Sequence, residues 1–175
     1  MRHRPTNALL VATTVLVSQL VGAAVERPDW RSLIVCDGPD GDRERAALIS
    51  ALQLLPVLPA RVAVIDATEA KPDVQPTLLK LEAFILRGSP VVYVVKQGAL
   101  LRGAVAGSTF HTHALAAVLW HEMAHAEGAD ERDARKREGA LWATFVRDQR
   151  VDQVTALRYM RALAMRPDPT ALALR

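Results

Sequence analysis

The sequence contains a single cysteine, Cys36, among its 175 residues, so no internal disulfide is available to hold the fold together. Cys36 follows an apolar stretch at residues 33–35, and we expect it to pack as a small hydrophobic side chain in or beside a strand. Aromatic residues make up only 5% of the chain, and no run of lysine and arginine is interleaved with them. Nucleic-acid binding therefore has little support in this sequence.

Half of the residues are hydrophobic, which is enough for one compact domain with a core of its own. The formal net charge is +3, and two of the positive charges belong to Arg2 and Arg4 at the start of the chain. Removing both leaves +1, so the domain that we expect over residues 26–175 is close to neutral. Within it, residues 166–175 contain two prolines and are predicted to form a loose tail.

The first 25 residues have the pattern of a targeting segment. A basic start precedes an uncharged run at residues 8–25, and the small residues Gly22, Ala23 and Ala24 are of the kind that a signal peptidase accepts. The run is about as short as a bilayer-spanning helix can be. It predicts either a cleaved signal peptide or an uncleaved membrane anchor, with the domain outside the cytoplasm in both cases. A buried N-terminal helix of a cytoplasmic domain is the alternative.

The sequence HExxH occurs at residues 121–125, inside the stretch LWHEMAHAEGADERDARKRE. Residues four apart share one face of a helix, so His121 and His125 can direct a ring nitrogen at the same ion. Glu122 lies one residue round from His121, where a base would take a proton from a zinc-bound water. The apolar helix formers at residues 114–120 predict that the motif lies in the last turns of a buried helix. The alternative is an ordinary amphipathic helix with two histidines that bind nothing.

The residues after the motif predict a tight reversal into a second helix. Gly128 is expected to end the first helix, because glycine adopts the left-handed C-cap conformation without penalty. Asp130 is the expected N-cap of the second helix, and Glu131 falls in its first turn. This helix, turn and helix arrangement would bring a first-turn carboxylate back towards the two histidines.

The stretch at residues 114–142 resembles the HExxH zinc metallopeptidases, and among these zincins it is most similar to the small gluzincin-type enzymes. In that group the third zinc ligand is a glutamate on the following helix, often in an E-x-x-A pattern, which residues 131–134 (ERDA) match. The resemblance therefore implies Glu131 as the third ligand. Its spacing from His125 is shorter than in the larger gluzincin peptidases, and Thr144 stands where their glutamate would be.

The same stretch also resembles the metzincin pattern, because Gly128 follows HExxH at the spacing that this clan uses. Glu131 then stands where the metzincins carry a histidine or an aspartate, although no Met-turn is recognisable. Glu138, seven residues further along the same helix face, is the runner-up for the third ligand, followed by Glu127 and Asp130. Glu138 and Asp130 are also candidates for fixing the tautomers of the two histidines.

The resemblance implies a zinc-dependent peptidase that acts on a peptide or protein substrate. Zn²⁺ would be held by His121, His125 and Glu131, with Glu122 as the general base that takes a proton from the zinc-bound water. Sites of this kind often use a tyrosine or histidine as oxyanion donor, for which Tyr159 is the candidate. The alternatives are a zinc hydrolase of a non-peptide substrate and a catalytically inert zincin-like interaction domain.

The rest of the chain alternates between strand and helix patterns, which predicts an α+β fold with a small mixed sheet. Strands are expected at residues 32–36, 61–66, 91–96 and 100–105, and helices at residues 42–55, 77–86 and 151–165. Residues 140–150 are expected to continue the second helix of the reversal. The zincin resemblance implies that an edge strand before the active-site helix binds the substrate backbone. Either 91–96 or 100–105 could be that edge, and an interior position for 91–96 is equally open.

His111 and His113 precede His121 by ten and eight residues. On a continuous helix these separations correspond to about 15 and about 12 Å, which is too far for either ring to join the same ion. We expect both to be surface or first-turn residues.

Overall fold

The computed structural model describes residues 28–38 and 40–165, so the predicted leader at residues 1–25 and the predicted tail at residues 166–175 lie outside the described residues. The chain forms an α+β fold, as the sequence predicts. Its elements, in chain order, are α1 (Trp30–Leu33), β1 (Ile34–Val35), α2 (Gly41–Leu52), β2 (Arg61–Ile65), a 3₁₀ turn (Ala67–Glu69), α3 (Gln75–Leu78), β3 (Ala83–Ile85), β4 (Val91–Val95), α4 (Ala99–Val105), α5 (Thr109–Ala126), α6 (Glu131–Arg147) and α7 (Gln153–Met165). Among the described residues, none of these helices is both long and apolar enough to cross a bilayer.

The four strands form one mixed sheet in the order β1-β2-β4-β3. β1, β2 and β4 are parallel to one another, and β3 pairs antiparallel with β4. The inward side chains are branched and fully enclosed: Val62, Val92 and Val94 are at most 1% exposed. β4 lies between β2 and β3, so the interior alternative for residues 91–96 is confirmed and the edge alternative is wrong. The edges in the described part of the chain are β1 and β3.

The helix predicted at residues 77–86 is wrong. The short helix α3 ends at Leu78, and the chain then becomes extended to form β3. Phe84 pairs with Tyr93 across the two strands, and their rings stack with centroids 5.2 Å apart. This cross-strand contact and the ladder with β4 outweigh the helical spacing of the local apolar residues, because strand formation depends on packing against a partner strand.

The strand predicted at residues 100–105 is also wrong, because this segment is helix α4. The carboxylate of Glu82 accepts the backbone N–H groups of Ala99 and Leu100, at 3.2 and 2.9 Å. It therefore satisfies donors that the first turn of a helix leaves without a partner. The capping group comes from 17 and 18 residues earlier in the chain, so no local pattern could reveal it.

Helix α5 runs through the centre of the molecule. Ser108 caps its first turn, because its side chain accepts the backbone N–H of His111. All side chains at residues 114–119 are at most 4% exposed, and α5 contacts α2, α4, α6 and the strand β3. The contact with α4 is especially close, because a Cβ atom at Gly103 would lie 2.2 Å from the His111 ring.

The predicted reversal after α5 is confirmed. Gly128 has φ +91°, the left-handed conformation that ends the helix, and the side chain of Asp130 caps α6 by accepting the N–H of Asp133 at 2.8 Å. α6 packs along α5, and α7 packs against α6. We call α5, the turn at Gly128 and α6 the helical hairpin. In this hairpin the HExxH residues lie in the last turns of α5, next to the first turns of α6.

Candidate metal centre

Three side-chain atoms converge next to the turn of the helical hairpin, where α5 ends and α6 begins. Nε2 of His121 and Nε2 of His125 lie 3.1 Å apart, and Oε2 of Glu131 lies 3.6 and 3.2 Å from them. His121 and His125 come from successive turns of α5, and the reversal at Gly128 brings Glu131 to meet them. Among the described residues, this is the group that could hold a metal ion.

The triangle has the size that a metal ion requires. Ligand atoms about 2.0–2.1 Å from a tetrahedral ion are separated by about 3.3–3.4 Å, and the three distances lie on either side of that value. The side chains are 10%, 23% and 13% exposed for His121, His125 and Glu131, so the group is largely enclosed but retains contact with solvent.

In each histidine ring, the contact made by Nδ1 leaves Nε2 facing the triangle. Nδ1 of His125 lies 3.0 Å from the carbonyl oxygen of Ala129, which can only accept a hydrogen bond. Nδ1 of His121 lies 3.1 Å from Oε2 of Glu138, a carboxylate contact. Both contacts favour a proton on Nδ1, so that two Nε2 lone pairs and a carboxylate oxygen face one another. A bound cation would relieve the repulsion between them.

Glu122 lies next to this group without belonging to it. Burial raises the pKa of its carboxyl to about 7, an effect that His121 and His125 partly offset and that the charges of Glu131 and Glu138 reinforce. A carboxyl group with a pKa near neutrality can both accept and release a proton. The role of Glu122 as a general base stays a prediction.

Burial lowers the pKa of His121, but the contact with Glu138 and its charge, followed by the charges of Glu122 and Glu131, outweigh burial and raise it above its ordinary value. The region is therefore rich in negative charge. Arg135 provides some compensation, because its Nε donates to Oε1 of Glu131 at 2.7 Å. That bond leaves Oε2 of Glu131 directed at the histidines.

Glu138, the runner-up ligand, lies on the side of His121 that faces away from the triangle. Its side chain is fully buried, and its Oε1 accepts a hydrogen bond from the hydroxyl of Tyr159. The Tyr159 ring stacks on Trp142 with centroids 4.1 Å apart. The oxyanion-donor role of Tyr159 stays a prediction, and the structure places its hydroxyl at Glu138 rather than at the ligand triangle.

The remaining carboxylate candidates are engaged elsewhere. Glu127 forms an ion pair with Arg137 at 2.7 Å, and Asp130 caps α6, so neither belongs to the ligand group. Arg135 was not anticipated, although its position four residues after Glu131 on one helix could have revealed the pair. The carbonyl of Ala129 carries no side-chain signal in the sequence.

The two upstream histidines lie apart from the triangle, as their spacing predicts. Nδ1 of His111 lies 2.7 Å from the Ser108 hydroxyl. His113 is 7% exposed and follows the first turn of α5, so the expectation of a surface or first-turn position is wrong for it, and its ring meets Phe145 edge-on at 4.8 Å. It is buried because the face of α5 that carries it packs against α6.

Comparison with protein-family models, with curated proteins and with solved structures gives no match for this chain. Membership of the HExxH zinc peptidases therefore stays a prediction from residues 114–142. The function has to be argued from the ligand triangle and the groups around it.

Proposed function

We propose that this protein is a zinc-dependent peptidase with His121, His125 and Glu131 as the metal ligands. The observation that carries the proposal is the convergence of two Nε2 atoms and one carboxylate oxygen at separations of 3.1–3.6 Å. Two imidazoles and one carboxylate are a donor set that suits Zn²⁺, and three protein ligands leave a fourth position open for a reacting molecule. A purely structural zinc site, by contrast, commonly has four protein ligands.

Zinc bound by these residues would supply Lewis acidity, which polarises a carbonyl and makes water a stronger acid. The residues of the chain perform the proton transfers. Glu122 takes the proton from the attacking water and later delivers it to the amide nitrogen that leaves. Its neighbourhood supports this role, because it is largely buried next to His121 and lies outside the ligand group.

The sheet supports a peptide as the substrate. β3 is an edge strand in the described part of the chain, and it lies against α5, the helix that carries the motif. An extended peptide could therefore add to the outer side of β3 through backbone hydrogen bonds. This edge, in the described part of the chain, is the feature that favours a peptide over a non-peptide substrate.

The first test is the zinc content of the purified protein beside three variants, measured by mass spectrometry. We expect about one zinc per chain in the wild type and in Glu122→Gln, and a loss of zinc in Glu131→Ala, because a ligand has been removed. Glu127→Gln is the matched control, since Glu127 lies beside the motif but pairs with Arg137. Absence of zinc from a folded wild-type protein would disprove the proposal.

The second test uses hydrolysis of a mixture of fluorogenic peptides. Glu122→Gln should lower the rate by about 10²–10⁴-fold, the usual contribution of a general base, while its zinc content is unchanged. Glu127→Gln should retain the wild-type rate. A zinc-loaded wild type that cleaves no peptide but hydrolyses small esters would favour the non-peptide alternative.

A further inference from the structure

We propose that Tyr159 is a positioning residue of the metal centre, which acts through Glu138 on His121 and so couples the packing of α7 to the retention of the metal. This inference rests on the proposed function, because it concerns the affinity of the same site. The inference adds Tyr159, which lies on a helix that contributes no metal ligand. It also gives that helix a way to regulate the site.

The coupling path consists of three buried side chains from three helices. Tyr159 of α7 donates its hydroxyl hydrogen to Oε1 of Glu138 of α6, and Oε2 of Glu138 lies 3.1 Å from Nδ1 of His121 of α5. The exposures of the three residues are 6%, 0% and 8%. Nε2 of His121 is a corner of the ligand triangle, so these contacts link α7 to the candidate metal site.

The Tyr159 hydroxyl has a specific effect in this path. A buried carboxylate needs strong donors, and the bond at Oε1 helps to hold Glu138 with Oε2 facing His121. Oε2 in turn fixes the ring orientation of His121 and increases its basicity as a ligand. Loss of the hydroxyl would let the carboxylate turn and weaken its hold on the ring.

The ring of Tyr159 is held independently of its hydroxyl. It stacks on Trp142 at an interplanar angle of 23° and meets the ring of Phe110 edge-on. A Tyr159→Phe substitution therefore removes one oxygen and keeps the packing, which makes it a clean test. The matched control is Tyr93→Phe, because the other tyrosine of the chain stacks on Phe84 in the sheet.

The position of α7 in the fold suits a regulatory coupling. Among the side chains of α7 that the structure describes, Ala156, Tyr159 and Leu163 are buried, whereas Val154 and Leu157 are 61% and 54% exposed. Elements that combine buried and exposed apolar side chains in this way are more easily opened than the core of a fold. By reciprocity, if packing of α7 strengthens metal binding, then metal binding must stabilise the packing of α7 to the same extent.

The first experiment measures the zinc dissociation constant of the full chain by competition with a chromophoric chelator. We expect Tyr159→Phe to weaken binding about 10-fold and Glu138→Gln about 10–100-fold, the range known for partners of metal-binding histidines. Tyr93→Phe should remain within about twofold of the wild type. If Tyr159→Phe also binds within about twofold, the inference is wrong.

A double-mutant cycle separates this coupling from a general loss of stability. If Tyr159 acts through Glu138, then Tyr159→Phe should have no further effect on zinc affinity in the Glu138→Gln background. Additive losses would overturn the inference, because they would mean that the hydroxyl acts by another route. Should Glu138→Gln fail to fold, the comparison between Tyr159→Phe and Tyr93→Phe still decides.

The reciprocal effect is measured by hydrogen exchange of the amides of α7. Zinc should slow their exchange in the wild type, and this protection should fall about 10-fold in Tyr159→Phe, in parallel with the affinity. Equal protection in both proteins would contradict the coupling. A wild type that binds no zinc would disprove the proposed function and the inference together, whereas equal zinc affinities of wild type and Tyr159→Phe would disprove the inference alone.

Discussion

Two regions of the described part of this molecule contain buried carboxylates, and the charges in the two regions are balanced in different ways. The first region lies at the carboxyl ends of the parallel strands. There Glu44, 4% exposed, faces the ammonium group of Lys96 at 3.5 Å, so a negative charge meets a positive one. The nearby thiol of Cys36 stays neutral, because burial raises its pKa to about 11, an effect that Arg45 partly offsets. The chain itself supplies the balance in this region.

The second region is the helical hairpin, where carboxylates lie around two imidazoles rather than opposite a lysine. Glu122, Glu131 and Glu138 surround two imidazoles, and Arg135 engages one oxygen of Glu131. Placing several carboxylates in a poorly solvated site is costly unless cations accompany them. The strand pair is therefore balanced within the chain, whereas the hairpin contains the group of His121, His125 and Glu131 that could hold a metal ion.

The treatment that should separate the two regions most strongly is removal of the metal. A ligand present at about 1,000 times its dissociation constant stabilises the folded state by about 4 kcal/mol, so a strong chelator should lower the unfolding temperature by roughly 10 °C. Thermal unfolding followed by circular dichroism measures the shift. Glu44→Gln should show the same shift, because it alters only the strand region. If the chelator did not shift the unfolding temperature of the wild type, neither region would depend on a bound metal ion.

The second effect concerns the balanced pair. Lys96→Met removes the charge that faces Glu44 and should lower the free energy of unfolding by about 2–3 kcal/mol, since a buried carboxylate loses its partner. Urea denaturation measures the loss. The double variant Lys96→Met with Glu44→Gln should recover most of it. If the double variant were as unstable as the single one, loss of the ion pair would not be the cause of the lower stability.

The third effect is the reactivity of Cys36, whose thiol pKa is raised from 9.0 to about 11, chiefly by burial. At pH 8 the folded protein then contains about 100-fold less thiolate than the unfolded chain, so alkylation by iodoacetamide should be slower by about that factor. Because the raised pKa belongs to the folded state, this contribution to stability is full below pH 9 and is lost as the pH rises towards 11. Mass spectrometry gives both rates, and equal rates in the native and the urea-unfolded protein would contradict the prediction.

The smallest effect is expected at a surface pair on the hairpin. Lys136 and Asp133 lie 2.7 Å apart, with side chains 62% and 59% exposed. Lys136→Ala should leave the midpoint of urea denaturation unchanged within error, because solvent screens such pairs. Its zinc affinity should equal that of the wild type. A clear decrease of the midpoint would show that charge on the hairpin matters even outside the buried group.

The hairpin could be predicted from the sequence because its determinants are local. Residues four apart on a helix, a glycine that ends it and an aspartate that caps the next helix fall within ten residues, from His121 to Asp130. Each of these features has one dominant conformation. The convergence of His121, His125 and Glu131 follows from them almost without reference to the rest of the chain.

The sheet could not be predicted in the same way. Residues 83–85 carry a helical spacing but become β3 because β4 lies beside them, and residues 99–105 become helical because Glu82 caps their first turn. In both cases the deciding partner comes from another part of the chain. The difference in free energy between local helix and strand propensities is smaller than the stabilisation that such tertiary contacts provide.

The sequence by itself thus determined the motif, its helix, the reversal and the three candidate ligands, since backbone geometry over a few residues leaves little choice. Only the tertiary structure decided the roles of Glu138 and Tyr159. They are 21 residues apart on different helices, and they meet His121 because α6 and α7 pack where they do. A hydrogen bond between distant residues depends on the packing of whole helices, which no spacing within one helix encodes.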